Sequence, residues 1–331
     1  MTIVLAGAAR WARPLAWTSS VAAALALCVS GVGAQNTGPV NRTLLTTADG
    51  IEVVQITSDT YMVGGAGGNV TVNVGPQGLF VVDTGAELAA DKVVAAIRSF
   101  TSQPIRYIAI TSADLDHVGG NTIVNARLGQ GIRTREMRDE GAGIIAHENV
   151  MTRMSAPTGQ QSPVPVSSWP TQTFTTPQQD MSFNGQAVQL FKLPAAHTDG
   201  DTVVVFRRSD VVVTGDIFDK TRYPVIDIAK GGSIQGEIDA INWLLDILVT
   251  GEKEEGGTMV VPGHGRLCDE SEVSEYRDML TIVRDRIKDM IDRGLTLEQV
   301  KAAKPTLEYD PEYGASDAFV EAVFRGLRGA R

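Results

Sequence analysis

Residues 111–121 read Thr111-Ser112-Ala113-Asp114-Leu115-Asp116-His117-Val118-Gly119-Gly120-Asn121. They follow the apolar run Tyr107-Ile108-Ala109-Ile110, whose length and composition fit a buried strand. Two acids and a histidine then arrive almost together, and two glycines follow. A strand end that delivers acid and imidazole side chains to one loop has the layout of a metal-ligand loop. The chain holds only 4 histidines, and three of them, His117, His197 and His264, stand at such junctions. The relevant stretches are Ala196-His197-Thr198-Asp199-Gly200-Asp201 and Pro262-Gly263-His264-Gly265. Val81-Val82-Asp83-Thr84-Gly85 and Thr214-Gly215-Asp216 place an aspartate in the same way. A single histidine in a chain is most often a core or surface residue. Three in matching contexts argue for a shared metal.

From about residue 50 to about residue 270, these motifs in this order resemble the metallo-β-lactamase superfamily. Its signature is a His-x-His-x-Asp-His loop, then a third His, a bridging Asp and a last His, each after its own strand. The resemblance implies an α/β (α+β) fold, a four-layer αββα sandwich with metal-bearing loops at one edge of two sheets. It implies one metal position at Asp116, His117 and His264, with Asp216 as fourth or bridging ligand. A second position would draw on Asp114, His197, Asp216 and water. The chain departs from the signature at two places, where Ser112 and Asp114 replace loop histidines. Serine is a poor zinc ligand, whereas aspartate is acceptable and favours harder ions than imidazole does. The expected cofactor is therefore Zn2+, one or two per chain, with manganese or iron as alternatives. Asp83 and Ser112 are expected behind the ligands, holding the loop by hydrogen bonds. Ile144-Ile145-Ala146-His147-Glu148-Asn149-Val150, together with the Gly-Asp-x-Phe and Gly-Gly-Ser segments, is similar to a branch of periplasmic metallo-hydrolases within that superfamily.

The activity implied is a metal-dependent hydrolase. Its substrate would be a small ester, lactone, thioester or lactam, attacked by a metal-activated water with Asp116 or Asp114 as the activating carboxylate. The competing class is a non-catalytic binding or sensor protein that keeps the fold and a degenerate metal site. Ser112 and Asp114 favour the second class; His197, Asp216 and His264 together favour the first. Outside the motif, His147 is a candidate to line the pocket. Gly232 and Ser233 stand at the start of a helix, where free backbone N–H groups can bind an anion and a serine can equally serve as a cap.

The formal charge of the 331-residue chain is −10. An acidic surface repels phosphate backbones, which excludes nucleic acid as a partner and leaves a small-molecule substrate. Residues 1–34 read as a signal peptide, with Arg10 and Arg13 ahead of an apolar stretch and small residues before Gln35. The expectation is a periplasmic or secreted protein with no stable membrane span after signal removal. Residues 35–48 read as a flexible leader, 49–270 as the metallo-β-lactamase-like domain, and 271–331 as a C-terminal helical extension that packs on the core or serves a homodimer. Within the domain, short strands are expected from Ile51 to Val82, a helix over Ala86–Phe100 and a strand over 105–111. A helix over 118–128, a long loop over 155–180, strands up to Thr214, a helix over Ile234–Val249 and a strand over 258–261 complete the pattern.

Overall fold

The computed structural model describes residues 43–131, 141–155, 160–193, 195–251 and 256–329. The signal peptide expected over 1–34 lies outside the described residues. Eight strands form a first sheet in sequence order: β1 (Thr43–Ala48), β2 (Ile51–Gln55), β3 (Thr60–Gly64), β4 (Val70–Gly75), β5 (Gly78–Val82), β6 (Ile105–Ala109), β7 (Gly143–His147) and β8 (Gln172–Phe174). The first five make an antiparallel meander, and β5 to β8 pair in parallel. A second sheet runs β13-β12-β11-β10-β9, built from β9 (Gln178–Phe183), β10 (Gln186–Lys192), β11 (Thr202–Phe206), β12 (Val211–Asp219) and β13 (Met259–His264). Only the β12–β13 pair is parallel.

The layering follows from period-2 alternation within strands that are apolar on both faces. In β5, Phe80 and Val82 turn toward the second sheet, while Leu79 and Val81 turn outward. In β11, Val204 and Phe206 turn inward and Val203 and Val205 outward. The inner residues make one core between the sheets. Phe80 anchors it, with its ring against Tyr107, Phe183 and Phe206. The outer face of the first sheet is covered by α1 (Ala90–Phe100) through Val93 and Ile97, by α3 (Asn121–Leu128), and by α4 (Glu148–Met154). The outer face of the second is covered by α5 (Ile234–Ile247) and by α6 (Glu270–Asp292), the latter through Tyr276, Leu280 and Val283. Three apolar seams between four layers give the αββα sandwich.

Four elements differ from the sequence expectation. Residues 43–48 are a strand, not a flexible leader. Asp49 and Gly50 have φ of 51° and 80°, which lets them make the tight primed turn that pairs β1 with β2. The helix expected over 118–128 is split into α2 (Leu115–Val118), a single turn, and α3, because Gly119 and Gly120 lie flat against the loop after β5. The 155–180 loop contains β8 and a one-turn helix at Val166–Ser168, and Val164 and Trp169 pack into the outer core. β12 runs past Thr214 to Asp219. Downstream of α6 come α7 (Leu297–Ala302), α8 (Asp310–Tyr313) and α9 (Asp317–Gly329), whose Phe319, Val320, Val323 and Phe324 join the same core as α5 and α6. The C-terminal helices are therefore part of the fourth layer.

Strand direction sets where chemistry can occur. β5, β6 and β13 all end at one rim of the sandwich, the rim at which open α/β sheets bind ligands.

Candidate metal centre

Asp83 follows β5 in a left-handed conformation, φ 60°, that a non-glycine residue adopts only where its surroundings hold it. There its carboxylate accepts from Thr111 N at 2.8 Å, Thr111 Oγ1 at 2.5 Å and His117 Nδ1 at 2.8 Å. A carboxylate is an acceptor, so Nδ1 carries the proton and Nε2 of neutral His117 is left with its lone pair pointing the other way. His197, in the loop between β10 and β11, is set in the same manner: Nδ1 donates to the Val225 carbonyl at 2.5 Å. Both imidazoles thus present Nε2 to a common space.

Asp216 occupies that space. Its Oδ1 lies 3.0 Å from His117 Nε2 and 3.3 Å from His264 Nε2, and its Oδ2 lies 3.6 Å from His197 Nε2. It reaches this position because β12 is interrupted at Gly215, φ 55°, where the register against β13 shifts. A Cβ at Gly215 would lie 2.6 Å from Thr111 Oγ1, so only glycine permits the approach. Gly68 is pressed on the other side, where a Cβ would meet His117 Cε1 at 2.9 Å.

Two groups of ligand-type atoms result. Asp116, His117 and His264 converge on one side of Asp216, with Asp116 Oδ2 3.4 Å from His264 Nε2. Asp114 and His197 converge on the other, Asp114 Oδ2 standing 3.0 Å from His197 Nε2. Within each group the ligand atoms lie within 4.8 Å of one another, the spread expected of donors around one ion. Imidazole nitrogen and carboxylate oxygen together suit zinc and harder divalent ions alike. Lone pairs of imidazole and carboxylate facing each other at these distances need a cation between them, either protons or a metal, and so the residues fit a metal ion.

The electrostatics describe the proton alternative. Burial opposes a charge on His117, but Asp216 and Asp83 outweigh it and hold its pKa well above the usual range. Burial likewise opposes a charge on His197, and Asp114 and Asp216 push it up to about 10. Asp114 is pulled down to about 2, first by His197 and then by Lys230. Asp216 stays ionised despite burial because three imidazoles surround it.

The remaining candidates fall elsewhere. Ser112 is buried and its Oγ accepts from Asp114 N at 3.3 Å, shaping the loop. Asp201 serves its own turn, accepting from Thr198 N and Oγ1 at 2.7 Å each. His147 has a local structural role: its Nδ1 accepts from Asn149 N as the cap of α4, and its ring abuts Phe174. Gly232 and Ser233 offer no free N–H for an anion. Gly232 N donates to Asp227 O and Ser233 N to Ala196 O, while the Ser233 hydroxyl caps α5 at Gly236 N. Two cations that sequence reasoning missed stand at the mouth. Lys230 Nζ is 3.2 Å from Asp114 Oδ1 and 3.0 Å from Asp227 Oδ2. One Arg222 Nη lies 3.3 Å from His264 Nε2. No motif marks either, because each is placed by a turn that only the tertiary structure brings to the rim. Sequence reasoning also missed Glu237 of α5; it is fully buried, neither carboxyl oxygen has a hydrogen-bond partner among the described residues, and burial drives its pKa well up.

The family model of the metallo-β-lactamase superfamily matches residues 63–270. A linear primary-alkylsulfatase from Pseudomonas sp. (strain ATCC 19151) is 23% identical over 310 residues, covering 77% of this chain and 54% of the relative. Among solved structures, the stereoselective inverting sec-alkylsulfatase Pisa1 from Pseudomonas sp. superposes with a TM-score of 0.63 at 16% identity, over 82% of this chain and 49% of that one. A metallo-β-lactamase from Pontibacter korlensis superposes with a TM-score of 0.54 at 18% identity, over 70% of this chain and 99% of its own. The chain thus spans about half the length of the alkylsulfatases it matches and nearly all of a stand-alone metallo-β-lactamase. A model match across more than half the chain, on the same sandwich and over every residue of the rim site, makes this protein a member of the metallo-β-lactamase superfamily.

Proposed function

We propose that this protein is a metal-dependent hydrolase of a small ester, lactone, thioester or lactam. Asp216 carries the proposal: one buried carboxylate turns its two oxygens to two separate ligand groups. Asp116, His117, His264 and Asp216 would hold one ion; Asp114, His197 and Asp216 would hold a second, more weakly, because Lys230 already neutralises Asp114. When bound, the metal supplies a water acidified toward neutrality and a Lewis acid for the scissile carbonyl. The protein's own part is to fix tautomers, through Asp83 and Val225, so that both Nε2 atoms face the reaction space. Asp116, partly exposed at the mouth, takes the proton of the attacking water. Asp114, pulled down to about 2 by His197 and Lys230, is a poor base and serves better as a ligand. The relatives that act on alkyl sulfates add sulfate esters to the bonds worth testing. Export to the periplasm, a small-molecule substrate and zinc as the resident ion belong to the same proposal.

A panel of chromogenic carboxylic esters, thioesters, lactams and sulfate esters, with added zinc, manganese or iron, tests this directly. Turnover is expected with one of these bonds and is expected to vanish, together with bound metal, in His264→Ala. Turnover that survives His264→Ala at the wild-type rate overturns the mechanism. A wild-type chain that loads metal but cleaves none of the panel moves the protein to the binding class.

A further inference from the structure

The turn that aims Lys230 at Asp114 has a second face. Its one-turn helix, Ile228–Lys230, is held by Asp227, whose carboxylate accepts from Lys230 N and whose own N donates to the His197 carbonyl. Lys230 reaches toward the metal centre, whereas Ile228 and Ala229 wall a groove of about 720 Å³ against the C-terminal helices. Leu297 at the start of α7 and Phe324 of α9 supply the rest of its apolar lining, and Arg325 and Arg328 border it. The volume falls within the roughly 300–1,000 Å³ of small-molecule sites.

Three features give the groove a ligand class. Ile228 stays 41% exposed within this apolar lining, so apolar surface is left to be covered. Gly326 keeps the helix face beside it open: outside α9 itself, a Cβ there would meet nothing nearer than Ile228 Cδ1, at 4.0 Å. The two arginines differ in charge balance. Arg325 pairs with Glu321 at 2.7 Å. Arg328 has no carboxylate partner among the described residues, and its guanidinium lies 5.6 Å from the centre of the Phe324 ring. An uncompensated guanidinium beside aromatic and aliphatic surface matches a molecule with an apolar body and one terminal carboxylate, whose two oxygens suit the guanidinium fork. Six lining residues fall well short of the roughly 20–30 a side of a stable protein interface. The formal charge of −10 disfavours an anionic bilayer.

We propose that this groove is a binding site for an amphiphilic monocarboxylate, with its aliphatic or aromatic body against Ile228, Leu297 and Phe324 and its carboxylate on Arg328. The site shares one wall, the Ile228–Lys230 turn, with the metal centre and is otherwise separate from it. It needs neither a bound metal nor turnover.

Sodium octanoate, below its micellar concentration, is titrated into the full chain by isothermal calorimetry, with and without zinc. The uncharged counterpart, 1-octanol, is titrated in the same way. One saturable octanoate per chain is expected in either metal state, bound at least about fivefold more tightly than octanol, since Arg328 is exposed and its bond is screened. Gly326→Leu fills the groove and replaces a helical glycine, so it blocks the site without weakening α9. Arg328→Glu reverses the charge. Each variant is expected to weaken octanoate at least about tenfold, and Arg328→Glu to leave octanol within about twofold. No saturable binding, or octanoate binding that Gly326→Leu leaves unchanged, overturns the site. Octanol bound as tightly as octanoate overturns the carboxylate class. A wild-type dimer in sedimentation that Gly326→Leu dissociates assigns the groove to a second copy of the chain. Wild-type flotation with phosphatidylglycerol vesicles that Arg328→Glu abolishes assigns it to a membrane surface. Either of these outcomes also overturns the proposal. Because octanoate binding is read on the metal-free chain as well, failure of the hydrolase reading leaves the groove standing, and failure of the groove leaves the hydrolase reading.

Discussion

Replacing Asp83 with asparagine isolates one bond in the site. The side chain keeps its shape, and asparagine tolerates the positive φ of 60° better than other residues do. One amide atom must nevertheless become a donor. If the amide nitrogen takes the Oδ2 position, it faces Thr111 Oγ1 and His117 Nδ1, both of which donate to that oxygen in the wild type. His117 must then move its proton to Nε2, the atom 3.0 Å from Asp216 Oδ1 and the one needed by the metal. If the amide flips, its nitrogen meets the Thr111 N–H that Oδ1 accepts at 2.8 Å. Either way, a buried, charge-assisted bond worth about 1.5–3 kcal/mol is lost. A change behind a metal-ligating histidine typically lowers metal affinity about 10- to 100-fold, equivalent to about 1.4–2.8 kcal/mol. Zinc affinity by chelator competition, with metal content by mass spectrometry, is the assay. Asp83→Asn is expected to be weaker by that factor while remaining folded. Affinity within about threefold of wild type, where the expected loss is at least tenfold, would refute the tautomer argument and leave Asp83 as no more than a loop brace.

The pH dependence of metal binding has a definite sign. His197 in the folded chain is pushed up to about 10, above its ordinary 6.5, so the stability this proton brings is complete below pH 6.5 and is lost as pH rises through about 10. A metal must displace that proton, so zinc affinity should rise by up to about tenfold per pH unit between 6.5 and 10 for each proton released, as a pH series of chelator titrations would show. Gly215→Ala combines a φ of 55° with a contact 2.6 Å from Thr111 Oγ1 and should lower stability by about 1–3 kcal/mol in urea denaturation. The same variant should also weaken metal binding, since Asp216 is the next residue. Phe80→Ala, in a fully buried ring cluster between the sheets, should lower stability by about 3–5 kcal/mol.

What was legible in the sequence was the chemistry-bearing residues, because metal ligands are rare residue types that recur in strand-end contexts. His117, His197, His264, Asp114, Asp116 and Asp216 stand apart from a chain with few histidines, and the structure brings all six to one rim. The strands were legible where they are apolar. The sequence ends β12 at Thr214 because Gly215 and Asp216 look like a terminator; the bulge that continues it depends on space beside Thr111, which no local pattern encodes. β1 reads as a leader because its threonine-rich composition is polar, yet the Asp49-Gly50 turn folds it back onto β2. His147 and the Gly232-Ser233 pair looked free in sequence. His147 Nδ1 and the N–H groups of Gly232 and Ser233 are each engaged by neighbouring backbone groups, a form of satisfaction that only the tertiary structure reveals. Arg222 and Lys230 carried no signal for the opposite reason, since surface cations are common and only placement distinguishes them.

The two ligand groups do not divide by sheet. Asp83, Asp114, Asp116 and His117 hang from the first sheet; His197, Asp216 and His264 hang from the second. An ion held between them would tie the two halves of the sandwich together at the rim, where Asn69 already reaches across to the carbonyls of Pro262 and Gly265. Such an ion can bind tightly only after the inner core around Phe80 has closed. It would therefore act as a late latch on folding, adding stability in proportion to the logarithm of its free concentration over its dissociation constant. A chain exported before meeting its metal would cross the membrane in its more readily unfolded form and be secured only on arrival.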